Sequence, residues 1–262
     1  MPADPLTSLL GLAEVEPAIA RARAATDQAY RLPRLRRGGG ALAAEVSLQA
    51  AVASAALAGS RHELADVRAG TVTDPVLQGA IRCAEALPAL VDRWRSAPRQ
   101  VLARLHLLAA RGSVDDSQLG RPAAGVEPAR LDTLIEVVLA AAEAPGLLRA
   151  SVVHGELLAL RAFPGPNGVV ARAAARLELM ASGFDPRGLL LIEQVQLDRQ
   201  PEYVGSAGAF ATGTPDGVRA WLRHCALAAE LAATQLTESA ARPATANGPA
   251  AHPAGDSRRT RG

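Results

Sequence analysis

Apolar residues recur three and four positions apart through most of this chain, the spacing of one helical face, and the alternation that strands need is rare. The pattern predicts a first helix over residues 6–30, followed by the basic, glycine-rich joint RLPRLRRGGG at 31–40. A second helix covers 41–57 and breaks at Gly59. Asp74-Pro75 reads as a helix start, an Asp cap before a Pro at the first helical position. Residues 76–110 then carry two helices, divided near Ser96-Ala97-Pro98 because Pro disfavours a helical residue before it. A polar loop occupies 112–126, and further helices are predicted over 128–143 and 147–160. The turn RAFPGPNG at 161–168 separates the latter from a helix over 169–182, which Gly183 closes. Asp185-Pro186 and Thr214-Pro215 repeat the start signal, the second opening a last helix to residue 236. At most a short hairpin is expected, near 112–126 or 194–212. The expected core includes Leu157, Leu160, Phe163, Leu177 and Trp221.

Composition sharpens this into an all-α reading. Hydrophobic residues make up 49% of the 262 and aromatics only 3%, a palette rich in the best helix formers and poor in strand formers. From residue 239 onward the chain is Ala, Pro, Gly and Arg without apolar periodicity, which predicts a disordered tail. The expected organisation is therefore a helix and linker over 1–40, a helical domain over 41–237 and a tail over 238–262. All 28 basic residues are Arg, consistent with the codon bias of a high-GC genome, and the net charge of +2 gives no footprint for a nucleic acid. The N-terminus lacks the basic start and apolar run of a signal peptide, and no apolar stretch is expected to reach the roughly 18 residues that cross a bilayer. Cys83 and Cys225 stand apart from each other and from any metal spacing, so both read as buried thiols of a reducing compartment. A cytoplasmic protein without a membrane partner is expected.

One loop carries candidate chemistry. Asn167 and Gly168 immediately precede a helix, whose first amide N–H groups lack intrahelical partners and favour anions. Arg161 flanks the loop on one side, and Arg172 lies about one turn into the following helix. Two guanidiniums there could clamp a phosphate; an Asn cap with two solvated surface arginines explains the same residues without a ligand. His62 and His224 share no ligand spacing with other candidate donors, so no metal site is expected.

The stretch from Arg161 to Arg172, RAFPGPNGVVAR, resembles the Fic (Fido) signature H-P-F-x-(D/E)-G-N-G-R-x-x-R, with Phe163, Asn167, Gly168 and Arg172 in place. His154 stands seven residues before the motif's first position, as a His often does in that family. Leu105-His106 resembles the family's L-x-x-L-H-x-x-L helix, and Gly120-Arg121 the Gly-x-x-Arg region after it. Tyr203 and Trp221-Leu222 fall where the family has a Tyr-containing helix and a Trp helix. The ordered set spans about residues 41–235 and implies an all-α Fic/Fido-like domain with an N-terminal helical extension. Ser54 to Gly59 fits the frame of the family's inhibitory helix, (S/T)-x-x-x-E-(G/N), with Ala58 at the position of the Glu.

The departures matter chemically. In active Fic enzymes the motif His is the general base, and Arg161 in its place cannot accept a proton. Gly165 replaces the carboxylate that holds magnesium, Val169 replaces an Arg that neutralises phosphates, and Pro166 removes a backbone N–H. The resemblance thus implies a pseudoenzyme without AMP-transferase (adenylylation) activity, no confirmed catalytic residue and no bound metal. Its expected partner is a protein or a phosphate-bearing small molecule held by Arg161, Asn167, Gly168 and Arg172, with Phe163 and His154 structural. The alternatives are a nucleotidyl- or phosphoryl-transferase with a rearranged site, which would need magnesium and ATP, and a purely structural scaffold. The first two predict that Arg161 and Arg172 face a common concavity. Reversion by Arg161→His, Gly165→Asp, Pro166→Gly and Val169→Arg would return the missing groups.

Overall fold

A computed structural model describes residues 4–37, 39–126, 128–140 and 143–241. The described residues form helices and connecting turns, with no strand among them. In chain order these are α1 (Val15–Tyr30), α2 (Pro33–Arg37), α3 (Gly39–Leu57), α4 (Leu64–Arg68), α5 (Pro75–Trp94), α6 (Pro98–Ala110), α7 (Pro128–Ala140), α8 (Gly146–Leu160), α9 (Asn167–Ala181), α10 (Ile192–Asp198), α11 (Gln200–Phe210) and α12 (Pro215–Ala241).

Local chemistry accounts for several boundaries. Asp74 Oδ1 accepts from Leu77 N at 2.9 Å and Pro75 opens α5, so this cap satisfies one of the orphan donors of the first turn. Thr214 Oγ1 does the same for Gly217 N at 3.2 Å at the start of α12. The break between α5 and α6 falls at Pro98, and Gly183, in the left-handed region, follows the end of α9.

Other expectations need correction. Asp185-Pro186 starts no helix: Asp185 instead accepts from Leu189 N at 2.8 Å and Leu190 N at 3.0 Å, and from the Tyr30 hydroxyl. Its carboxylate is used to fold the turn after α9 onto the end of α1. The glycine-rich joint is largely helical, with α2 within it and α3 beginning at Gly39. The 6–30 segment is a 3₁₀ turn at Thr7–Gly11 followed by α1. No hairpin forms: 194–212 is α10 and α11, and 112–126 holds only an isolated bridge between Arg111 and Val114 and a 3₁₀ turn. Residues 238–241 continue α12, and the remainder of the expected tail lies outside the described residues. Leu160 is half-buried, whereas Leu157, Phe163, Leu177 and Trp221 are buried. Finally, residues 40–57 of α3 are long and apolar enough to cross a membrane, with a mean hydropathy of 1.4 over that window. Eighteen alanine-rich positions add up to this value although few of them are strongly apolar. Here the helix packs against α5, α9 and α10.

Two hydrophobic clusters form the core. One joins α1, α8 and α12 through Val15, Ile19, Leu148, Trp221 and Leu222. The other joins α3, α5, α6, α8 and α9 through Ala51, Leu77, Trp94, Leu105, Leu157 and Leu177. The paired helices α8 and α9 lie between them, and every residue of α9 from Val169 to Leu179 is buried. Gly155 in α8 permits this density, since a Cβ there would lie 2.7 Å from Trp221 Nε1 and 2.8 Å from the Phe210 ring.

Candidate functional site

The loop at 161–168 joins the end of α8 to the start of α9, at the centre of the fold. Arg161 caps α8 in the left-handed conformation (φ 45°, ψ 48°), which few non-glycine residues adopt, and its side chain is exposed. Ala162 and Phe163 then turn inward and are buried. Gly165 takes a φ of +71°, and Pro166 (φ −78°, ψ 55°) makes an inverse γ-turn in which Asn167 N donates to Gly165 O at 2.8 Å. Val169 N donates to Pro166 O at 2.9 Å and Val170 N to the same oxygen at 3.4 Å. Of the first four amides of α9, only that of Gly168 is thus left for an anion.

Asn167 is committed to the loop itself. Its Oδ1 accepts from Phe163 N at 3.2 Å and its Nδ2 donates to Leu157 O at 2.9 Å, which ties the two helix ends together. His106 holds the loop from the other side. Gly120 N donates to His106 Nδ1 at 3.0 Å, so the ring carries its proton on Nε2 and donates it to Pro164 O, also at 3.0 Å. The ring stacks on Phe163 with centroids 4.9 Å apart. Burial lowers the His106 pKa, consistent with this neutral tautomer. The 112–126 loop adds a bond from Ala123 N to Ala162 O at 3.0 Å.

Arg172 lies inside the molecule, 3% exposed, and folds back along the first turn of α9, as helical side chains do. A Cβ on Gly168 would stand 3.2 Å from its Nη1, so the glycine makes room for the guanidinium. Nε donates to Ser54 Oγ at 2.9 Å, Nη2 to Ser54 O at 2.7 Å and Nη1 to the Tyr203 hydroxyl at 3.2 Å. Tyr203 Oη lies 3.0 Å from His154 Nε2. Burial first, and then the charge of Arg172, hold the His154 pKa well below its ordinary value. The ring is therefore neutral, and its Nε2 shares one hydrogen bond with the Tyr203 hydroxyl. Trp221 meets the His154 ring edge-on at 5.0 Å and donates to Ser151 O at 2.8 Å.

The charges of α9 are not treated alike. Arg176 is bound to Glu193 through two hydrogen bonds of 3.0 and 2.6 Å, and also donates to Gly188 O and Leu190 O. Glu178 receives Arg149 Nε at 2.6 Å and Trp94 Nε1 at 2.5 Å, with Arg95 3.5 Å away. Arg172 has no carboxylate partner among the described residues. Ala58, in the inhibitory frame, is exposed at the end of α3 and carries no acid. A cavity of about 30 Å³ beside Arg172 is lined also by His154 and Gln196, and the buried Gln196 Oε1 has no hydrogen-bond partner. Another, of about 20 Å³, touches Ser54 and Val169.

The expected pairing of Arg161 with Arg172 therefore needs correction. One guanidinium is exposed and the other is enclosed by Ser54 and Tyr203, because the left-handed cap leaves Arg161 at the surface while α9 carries Arg172 inward. Magnesium with a nucleotide, which the resemblance implies for active relatives, does not fit these residues. No carboxylate stands in 161–168 or in the first turn of α9, and a Cβ on Gly165 would be 2.7 Å from Val114 Cγ1. Among the described residues no three His, Cys, Asp or Glu side chains gather in a metal-binding group. Cys83 and Cys225 are both buried thiols with pKa values pushed up to about 12, chiefly by burial. Sequence reasoning did not find the part played by Gln196 and Glu193. Both come from α10, about twenty residues beyond the motif, and no motif marks them.

No family model and no curated protein matches this chain. Among solved structures it is similar to a Fic family protein from Desulfovibrio desulfuricans G20, at 21% identity and a TM-score of 0.69, over 85% of this chain and 75% of that one. It is similar also to Fic-1 from C. elegans, at 19% identity and a TM-score of 0.72, over 89% of this chain and 74% of that one. The chain has the all-α Fic/Fido fold.

Proposed function

We propose that this chain is a Fic-fold protein that transfers no nucleotide and instead binds a phosphate-bearing small molecule at the N-terminal end of α9. The observation that carries this reading is Arg172, a buried cation held by neutral groups in a helix whose other buried charges are all paired. An uncompensated buried charge costs several kcal/mol by order of magnitude, so a site that keeps one is suited to a bound anion. The open Gly168 amide and the helix dipole favour the same charge. Asn167 shapes the loop, and Arg161 offers an exposed cation on its solvent side. Transfer chemistry is disfavoured by the residues themselves: Arg161 cannot act as a base, and the loop has no acid for magnesium.

A second reading, a structural scaffold without ligand, is favoured by one observation. The cavity at Arg172 holds about 30 Å³, enough for a water molecule and far short of a nucleotide. The first reading therefore requires the loop or the end of α3 to move aside. Thermal unfolding with inorganic phosphate, and with ATP with and without magnesium, distinguishes the two. The expected result is a rise in Tm with either anion, independent of magnesium and absent in Arg172→Met. An unchanged Tm at millimolar phosphate would leave the scaffold reading. Labelled ATP should mark neither the protein nor a lysate, and a label lost in Arg161→Ala would overturn the assignment as a non-transferase.

A further inference from the structure

Away from the motif loop, α3, α5 and the second half of α9 enclose a cavity of about 400 Å³. Its walls are mainly apolar, with Leu48, Ile81, Leu87 and Met180 among them, and Ala44 lies exposed at its mouth. This size and lining are those of small-molecule sites, which pair apolar walls with a few placed polar groups. Two guanidiniums reach it. That of Arg176 is saturated by Glu193 and two carbonyls. That of Arg187 is not: Nη1 donates to Leu35 O at 2.6 Å, and no carboxylate among the described residues pairs with it. A cation without a counter-ion beside an apolar cavity is a specific feature.

We infer that this cavity binds a small amphipathic carboxylate, its head at the Arg187 guanidinium and its hydrocarbon chain along α3 and α5. Unlike the site at Arg172, this one calls for apolar length as well as negative charge, and it is independent of the phosphate reading. Glu85, exposed at the rim, disfavours dianionic heads such as phosphate and leaves a monoanion as the better fit.

Decanoate, below its micellar concentration, is the probe, with decanol as the uncharged control, and titration calorimetry on the full chain is the readout. Decanoate should bind, and decanol more weakly by about tenfold, the expected effect of losing one charge-assisted hydrogen bond. Arg187→Gln should weaken decanoate by a similar factor while leaving decanol unchanged. Ala44→Trp, at an exposed position that does not endanger folding, should abolish binding of both. Absence of decanoate binding, equal binding of decanol, or undiminished affinity in Arg187→Gln in a variant that melts as the parent does would each overturn the proposal. Self-association lost in Ala44→Trp, without decanoate binding in the parent, would assign the cavity to a second copy of the chain instead.

Discussion

At the residue scale, the central helix shows that a buried charge has meaning only with its partner. Glu193→Gln would leave Arg176 buried and facing a neutral amide, an unpaired charge of the kind that costs about 3–5 kcal/mol. Arg172→Met removes a charge that has no counter-ion and should cost less than half as much in anion-free buffer, although the bonds to Ser54 and Tyr203 are lost. Urea melts of the two variants check this order. The buried histidines give a second expectation. His154 and His106 both have lowered pKa values in the fold, so the native chain binds fewer protons than the unfolded one below the ordinary histidine value near 6.5. Stability should hold above about pH 7 and fall as the pH drops below it, by up to roughly 1.4 kcal/mol per pH unit for each histidine while it stays neutral. His154→Asn, which can still pair with Tyr203, should flatten that limb in melts from pH 7.5 to 5. The turn between α8 and α9 was legible in the sequence from the prolines and glycines of 161–168. Whether Arg172 was paired was not, because its neighbours come from α3, α10 and α11.

At the element scale, helix starts were readable where a side chain acts within its own turn, as Asp74 and Thr214 do. They were misread where the same residue type serves a distant partner, as Asp185 serves Tyr30. The loop at 161–168 shows the same limit. Its sequence invites reversion to the active signature, but its backbone has settled around the altered residues. Gly165→Asp would force a side chain onto a φ of +71° and against Val114, and Val169→Arg would bury a second cation, since Val169 is 1% exposed. The quadruple variant Arg161→His, Gly165→Asp, Pro166→Gly, Val169→Arg is therefore expected to lose about 4 kcal/mol or more, roughly 10 °C in Tm, and to gain no transfer activity. The double variant Arg161→His, Pro166→Gly avoids both conflicts and should melt within a few degrees of the parent. Circular dichroism melts and a labelled-ATP assay test both statements, and measurable transfer by the quadruple variant would mean that the loop is more pliant than its contacts imply.

At the scale of the whole molecule, the sequence pattern predicts an N-terminal helix and linker followed by a helical domain, and the packing joins them. Val15, Ala18, Ile19 and Ala22 of α1 lie in the same cluster as Trp221 and Leu222 of α12, a contact between residues about two hundred apart that no local pattern announces. The second cluster is built around α5, α6 and α9, and it meets the first along α8 and α9, where Leu158 packs against both. Such an arrangement could melt in two steps, one for each cluster, or in one, if the shared helices couple them. The buried charges favour one step: Arg149 of α8 and Trp94 of α5 both bind Glu178 of α9, so neither cluster can open without exposing that carboxylate's partners. The chain supplies its own reporters, because its two tryptophans fall one in each cluster, Trp94 in the second and Trp221 in the first. Trp221→Phe leaves Trp94 as the sole probe, and Trp94→Phe leaves Trp221. In each single-tryptophan variant the fluorescence transition should coincide with the loss of helix measured by circular dichroism, even if the two variants differ in Tm through the different hydrogen bonds they lose. A fluorescence midpoint several degrees below the helical one in either variant would show instead that its cluster unfolds alone, and that α8 and α9 separate the two halves of the core more than they join them.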